Sequence, residues 1–329
     1  MATAFITGIT GQDGGYLADA LLEQGWSVHG LVLPHDPALP ELLGRTPQVR
    51  THEGDLGDQA QMAALIGQLE PDEIYNLGGI SSVALSWDQP LLTSRVTGFG
   101  AAALLEAAFQ TQLRLGRPVR FVQASSAEIF GSPEQSPQTE QTPIRPQSPY
   151  GVAKAYAHAM VGVYRTRGLM ASSCILYNHE SPRRPETFVT RKITKAAALI
   201  ARGEQDVLKL GNLDARRDWG WAPDYVEALI RANRYEVSDN YVIATGQARS
   251  VREFAQAAFE RAGVADWEQR IEVDEAIMRP VDASEQVGDA RKARVRLGWA
   301  PSVSFADMVA RMVDADLGID DSSAATASG

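Results

Sequence analysis

The chain has 329 residues, 44% of them hydrophobic, enough to bury the core of one large α/β domain or two smaller ones. A formal net charge of -10 argues against a protein that tracks nucleic-acid phosphate, so anionic ligands must be met by local clusters such as Arg183, Arg184, Arg191, Lys192, Arg216, Arg217 and Arg279. The single Cys174 forms no internal disulfide, no Cys/His cluster suggests a metal, and no apolar run reaches the ~18 residues of a membrane span.

The start, Met1-Ala2-Thr3, carries no charged leader and runs straight into a strand, so cytoplasmic residence is the default expectation. That first predicted strand, Thr3 to Thr7, opens into Gly8-Ile9-Thr10-Gly11-Gln12-Asp13-Gly14 and then a helix through Tyr16, Leu17, Leu21 and Leu22. Glycines spaced this way at a first strand-to-helix junction allow a tight turn, close approach of backbone to a pyrophosphate, and close packing of helix on strand. The helix N-terminus then faces the phosphate. The second strand, Trp26 to Val32, ends in Leu33-Pro34-His35-Asp36. Neither the acidic residue that would bind a ribose hydroxyl nor the arginine that would take a 2′-phosphate stands in the expected place, which leaves NAD or NADP open.

Further on come Gly54-Asp55-Leu56, a helix around Met62 to Leu69, and the strand Glu73 to Leu77 ending in Gly78-Gly79, where small residues serve either a ligand's approach or a tight turn. An apolar helix from Thr97 to Ala108 precedes the buried strand Phe121 to Ala124 and the stretch Ser125-Ser126-Ala127-Glu128. Ser148 and Pro149 fit the cap and first position of a helix carrying Tyr150 and Lys154 on one face. An ammonium beside a phenol, near the positive end of a helix, favours the phenolate and lowers a pKa normally near ~10. Such a phenolate can take the proton from an alcohol while hydride leaves the same carbon for a nicotinamide, with Ser126 holding the oxygen. Tyr and Lys also recur at this spacing for packing alone; it is the strand and loop in front of them that give the pair its chemical reading.

After the strand Ser172 to Tyr177 the elements shorten: a polar loop Asn178 to Pro185, a helix from Phe188 to Arg202, a strand Val207 to Leu210, and the turn-rich Gly211 to Gly220. Ser250 to Glu253 forms a capping box, a structural signal only. The alternation predicts an α/β, Rossmann-like doubly wound parallel sheet with a smaller C-terminal substrate-binding α/β domain. The expected division is 1–178 with parts of 211–240 and 275–285 for the dinucleotide domain, 179–210, 241–274 and 286–318 for the substrate domain, and a disordered tail at 320–329.

Gly8 to Gly14, Pro71 to Leu77, Ser148 to Lys154, Asn178 to Arg184, Thr187 to Lys192 and Leu210 to Gly220 together resemble the GDP-mannose 4,6-dehydratase family of extended short-chain dehydrogenases/reductases, from Ile6 to about Met312. The resemblance implies an internal redox reaction on a GDP-sugar. Tyr150, with Ser126 and Lys154, would remove the C4 hydroxyl proton, and Glu128 would take the C5 proton and assist loss of the C6 hydroxyl. It implies cofactor contacts from Gly8, Thr10, Gly11, Gln12, Asp13, Gly14, Asp55, Leu56, Leu77, Gly78, Ser81, Tyr150, Lys154, His179 and Arg184. Substrate contacts would come from Ser81, Ser126, Glu128, Tyr150, Asn178, Lys192, Arg217, Arg279 and Asp282. NADP is the family's usual cofactor, with NAD open because the second-strand arginines are missing, and a homodimer or homotetramer is the usual assembly. The chain departs from the family in having Ser126 for threonine, Gly78 to Ser82 for an Ala-Ala-Gln-Ser-His pattern, and Trp221 for histidine. A reductase or epimerase of the same fold, which would not need Glu128, and an inactive cofactor-binding protein are the rival expectations.

Overall fold

The computed structural model describes residues 1–277 and 285–319. Arg279, Asp282 and the tail 320–329 lie outside the described residues. In chain order the first half runs β1 (Thr3–Thr7), α1 (Gln12–Glu23), β2 (Ser27–Val32), α2 (Leu39–Arg45), β3 (Arg50–Glu53), α3 (Gln59–Leu69), β4 (Glu73–Asn76), α4 (Val83–Asp88) and α5 (Pro90–Thr93). One π-helical turn, Ser94–Phe99, leads into α6 (Gly100–Leu115), followed by β5 (Arg120–Ser126), a 3-10 turn at Ala127–Phe130, α7 (Pro149–Thr166) and β6 (Met170–Leu176). The second half contains β7 (Asn178–Glu180), α8 (Val189–Ala201), β8 (Leu208–Leu210), β9 (Arg216–Trp221), α9 (Ala222–Arg234), β10 (Asn240–Ile243), β11 (Ala248–Ser250), α10 (Val251–Arg261), β12 (Ile271–Val273), β13 (Glu285–Gln286), α11 (Arg291–Leu297) and α12 (Phe305–Leu317).

Seven strands form one parallel sheet in the order β10-β6-β5-β4-β1-β2-β3, the arrangement of a doubly wound dinucleotide fold. Its central strands β1, β4, β5 and β6 are buried along nearly their whole length because both faces are covered. On one face Leu17 and Leu21 of α1 meet Tyr225 and Leu229 of α9, with Leu297 and Trp299 closing the edge. On the other, Met62 and Ile66 of α3 pack with Leu104 and Leu105 of α6 and Val161 of α7. A separate core holds the second lobe together, where Ile193, Phe254, Phe259, Met308 and Met312 from α8, α10 and α12 surround Trp219.

Two parts of the expected division are corrected. Tyr241, Val242 and Ile243 pair with β6 as the outermost strand of the large sheet, and Ala293 and Leu297 of α11 join that sheet's core. Both had been assigned to the second domain. A short apolar strand looks the same in either core, so only the register with Ser173 to Leu176 settles where it belongs.

The two lobes are joined by a buried carboxylate. One oxygen of Asp218 accepts from the Thr245 amide at 2.8 Å and the Thr245 hydroxyl at 2.6 Å; the other accepts from the Gly246 amide at 2.8 Å and the Gly288 amide at 3.3 Å. Burial pushes this carboxyl's pKa up, and the four donors oppose the push. Asp218→Ala strips three amides at once and is expected to destabilise the fold by about 3 kcal/mol or more. Urea unfolding checks this, with Asp218→Asn losing less because one acceptor oxygen survives.

Candidate active site

The C-terminal edge of the sheet is shaped by glycine. Gly8 follows β1 with φ 69°, its carbonyl accepts from the Gly11 amide at 3.1 Å, and α1 then begins with Gly11 as an N-cap that offers no side-chain acceptor. The first amides of α1 are therefore left for an anion. A Cβ at Gly14 would overlap the Gly8 carbonyl oxygen, and one at Gly8 would sit 3.0 Å from the Gly78 backbone. At Gly11 a Cβ would meet nothing within 4 Å except that same carbonyl, at 3.3 Å. Backbone touches backbone below the turn while its mouth stays open, the space that a pyrophosphate requires. These residues fit a dinucleotide.

A buried polar ladder fixes the strand ends beside the turn. The Thr7 hydroxyl donates to Asn76 Oδ1 at 2.6 Å and accepts from the Gly78 amide at 2.9 Å, while Asn76 Nδ2 donates to Gln123 Oε1 at 2.7 Å. Thr97, in the π-helical turn, accepts from the Ile80 amide at 2.9 Å and so tethers the loop after β4. Sequence reasoning overlooked these four residues. Thr7 and Asn76 close β1 and β4, a polar residue at a strand end being the available signal, whereas Gln123 lies within β5 and Thr97 in the π-helical turn.

Ser126 caps the 3-10 turn after β5, accepting from the Glu128 amide at 3.2 Å. Ser148 caps α7 by accepting from the Gly151 amide at 3.0 Å, with Pro149 next, which brings Tyr150 into the first turn. Gly151 has a further reason to be glycine: a Cβ there would come 2.7 Å from the Glu128 carbonyl oxygen. Ser126, Glu128 and Tyr150 are thus held together by two capped turns in contact.

The electrostatics differ from expectation. Burial pushes the Tyr150 phenol up to about 12; the Ser126 hydrogen bond and the Arg184 charge pull it down, and the Glu128 and Asp13 charges add to the rise. Burial also pulls the Lys154 ammonium down to about 8, and it donates to the Ala124 carbonyl at 2.8 Å. Its nitrogen lies 5.7 Å from the Tyr150 ring centre. In the protein by itself, desolvation dominates, so the expected phenolate is not favoured.

His179 reaches back to the glycine turn. Its Nε2 lies 2.8 Å from Asp13 Oδ2 and its Nδ1 2.7 Å from the Tyr177 carbonyl, and the ring stacks on Tyr225 at 4.6 Å. Gln12 donates to the His179 carbonyl at 3.1 Å and accepts from the Ser181 hydroxyl at 2.8 Å. Burial alone would raise Asp13 and lower His179, but their mutual charge and hydrogen bond reverse both, leaving the carboxyl below and the imidazole above its ordinary range. Arg184 pairs with buried Glu180 at 3.3 Å and covers the Phe188 ring at 3.8 Å.

The remaining predicted residues are more dispersed. Asp55 pairs with Arg95 at 3.1 Å, Leu56 is buried under Gly100, Leu77 packs against the sheet core, and Ser81 is exposed ahead of α4. In the second lobe's direction, Asn178 pairs with Trp219 in β9, Lys192 of α8 donates to the Lys209 carbonyl at 2.7 Å, and buried Arg217 of β9 donates to the Arg216 carbonyl at 2.8 Å. Thr10 has a partner that the sequence reading set aside: its hydroxyl donates to Asp36 Oδ2 at 2.8 Å.

A family model described as GDP-mannose 4,6 dehydratase matches residues 5–312. GDP-mannose 4,6 dehydratase 1 of Arabidopsis thaliana is 43% identical, covering 95% of this chain and 89% of that protein. The Homo sapiens GDP-mannose 4,6 dehydratase is 42% identical, covering 95% and 91%. Among solved structures, a Thermus thermophilus UDP-glucose 4-epimerase in complex with NAD superimposes with a TM-score of 0.82 at 26% identity, covering 97% of this chain and 100% of that one.

The Asp13–His179 pair has a pH signature. A lowered carboxyl adds stability that is present above its unfolded pKa and lost as pH falls through its folded one; a raised imidazole adds stability that is present below its unfolded pKa and lost as pH rises through its folded one. Asp13→Asn is therefore expected to cost most between about pH 4 and 6.5, with the difference from wild type shrinking as pH rises past the imidazole's raised value. Thermal unfolding across pH 4 to 9 checks the shape.

Proposed function

The chain belongs to the GDP-mannose 4,6-dehydratase family and is a nucleotide-sugar 4,6-dehydratase, a hydro-lyase, and from that premise we propose how its residues divide the reaction on GDP-mannose. The observation that carries the reading is the contact of two capped turns that groups Ser126, Glu128 and Tyr150 beside the glycine turn. A bound nicotinamide dinucleotide supplies a reversible store for the hydrogen that leaves C4 and returns to C6. Tyr150 takes the C4 hydroxyl proton, and the Ser126 hydroxyl holds that oxygen. Lys154, anchored on the Ala124 carbonyl, orients the cofactor and keeps a positive charge beside the phenol. Once C4 is a ketone the C5 proton is acidic; Glu128 removes it and returns a proton to the departing C6 hydroxyl. Water leaves, the proton that Tyr150 took is returned to C5 as the hydrogen arrives at C6, no net redox occurs, and the product is the 4-keto-6-deoxy sugar.

The cofactor is a nicotinamide dinucleotide, held by Gly8 to Gly14, Gly78 and the residues around them, with NADP as the family's expectation. Asn178, Lys192, Arg217, Arg279 and Asp282 are assigned to the nucleotide sugar, arginine suiting diphosphate because its planar fork gives two parallel hydrogen bonds. A homodimer or homotetramer is assigned to α7, whose Val152, Tyr156, Ala159 and Val163 recur at helical spacing and are all exposed. No helix among the described residues is long and apolar enough to cross a membrane.

Incubated with GDP-mannose and cofactor, the protein is expected to yield a product lighter by one water with no net cofactor reduction, read by mass and by absorbance of the reduced nicotinamide. Glu128→Gln is expected to lower turnover by about 100-fold or more while leaving cofactor affinity unchanged. An unimpaired variant would point to a reductase or epimerase. Val152→Glu is expected to shift the oligomer toward monomer in sedimentation velocity, whereas an unshifted profile would remove α7 from the interface.

A further inference from the structure

We propose that Asp36 makes this protein select NAD over NADP, accepting a hydrogen bond from the adenosine ribose and repelling a 2′-phosphate. The proposal rests on the dinucleotide reading of the glycine turn and departs from the cofactor expected of the family. Asp36 follows Gly14 by 22 residues, four positions beyond the end of β2. Along an ideal strand end it lies beyond the place expected of a ribose-binding carboxylate. The backbone makes up the difference: His35 takes φ 59°, the Asp36 amide donates to the Leu33 carbonyl at 3.2 Å, and the chain turns back toward the first strand. The Asp36 carboxylate then reaches the turn itself, with Oδ2 accepting from the Thr10 hydroxyl at 2.8 Å and Oδ1 from the Ala38 amide at 3.0 Å. Both oxygens are aimed by these bonds, and each keeps acceptor capacity for a further donor. An acidic side chain placed at this corner of a glycine-turn fold receives the ribose 2′-hydroxyl.

Around the turn the described residues offer a 2′-phosphate no unpaired cation. No arginine or lysine lies between Val32 and Arg45. Arg45 passes over Gly15, where its guanidinium would lie 2.9 Å from a Cβ, but it is paired with Glu41 at 2.6 Å. Arg183, the other cation there, is paired with Asp19 at 2.7 Å and stacked on Tyr16 at 3.8 Å. A phosphate entering beside Asp36 would face an uncompensated like charge.

Direct titration with NADH and with NADPH tests this, read by nucleotide fluorescence on protein freed of endogenous cofactor and needing no turnover. Wild type is expected to bind NADH at least about 30-fold more tightly than NADPH, the size of effect that a like-charge contact produces. Asp36→Asn keeps an acceptor for the Ala38 amide while removing the charge, and is expected to reduce that ratio to about fivefold or less, mainly by gaining NADPH. Its thermal unfolding without ligand reports whether the turn survives. Equal or tighter NADPH binding by wild type, or a ratio that Asp36→Asn does not move, would overturn the proposal; NADPH affinity lost in Arg45→Ala would instead name Arg45 as the phosphate's partner. Binding of neither nucleotide would overturn the dinucleotide reading on which the proposal stands.

Discussion

The C-terminal edge of the sheet, where the glycine turn sits, depends on backbone meeting backbone with no side chain between. Gly8 lies against Gly78, and Gly14 against the Gly8 carbonyl, so the loops after β1 and β4 meet backbone to backbone. Any Cβ at Gly14 must push α1 off β1, and with it the ring of amides at the helix start. Thr7, Asn76 and Gln123 then lock the three strand ends by short hydrogen bonds inside the protein, where an unmatched polar group would be costly. The tolerance left for moving one loop relative to another is accordingly small, and the positions of Ser126 and Tyr150 inherit it.

That rigidity comes with a dry site. The same burial that aligns Tyr150 and Lys154 works against charge on both, raising one and lowering the other. The Tyr150 phenol is therefore not ionised in advance, and further charge to stabilise its phenolate must arrive with the ligands. Lys154 is held ready by a carbonyl rather than by the phenol.

Much of this was legible in the residues. The glycine spacing, the Ser148-Pro149 start of α7 and the capping box at Ser250 and Glu253 are local rules, and each appears where the spacing predicts. What escaped was whatever depends on pairing between distant segments. Tyr241 to Ile243 could have joined either lobe until paired with β6, and the ionisation of Tyr150 turns on burial, which no i,i+4 spacing reports. Asp36 was discounted by counting positions along an ideal strand end. Its true place depends on one left-handed residue, His35, which residue type alone does not announce.

The contact between His179 and Asp13 also has a thermodynamic meaning. His179 belongs to the segment that leads into the second lobe, and Asp13 to the first turn of the helix that follows the glycine turn. The contact stands formed in the protein by itself, so neither segment can shift without breaking a buried, mutually stabilised charge pair, and the entry into the second lobe is held in register with the glycine turn before anything binds.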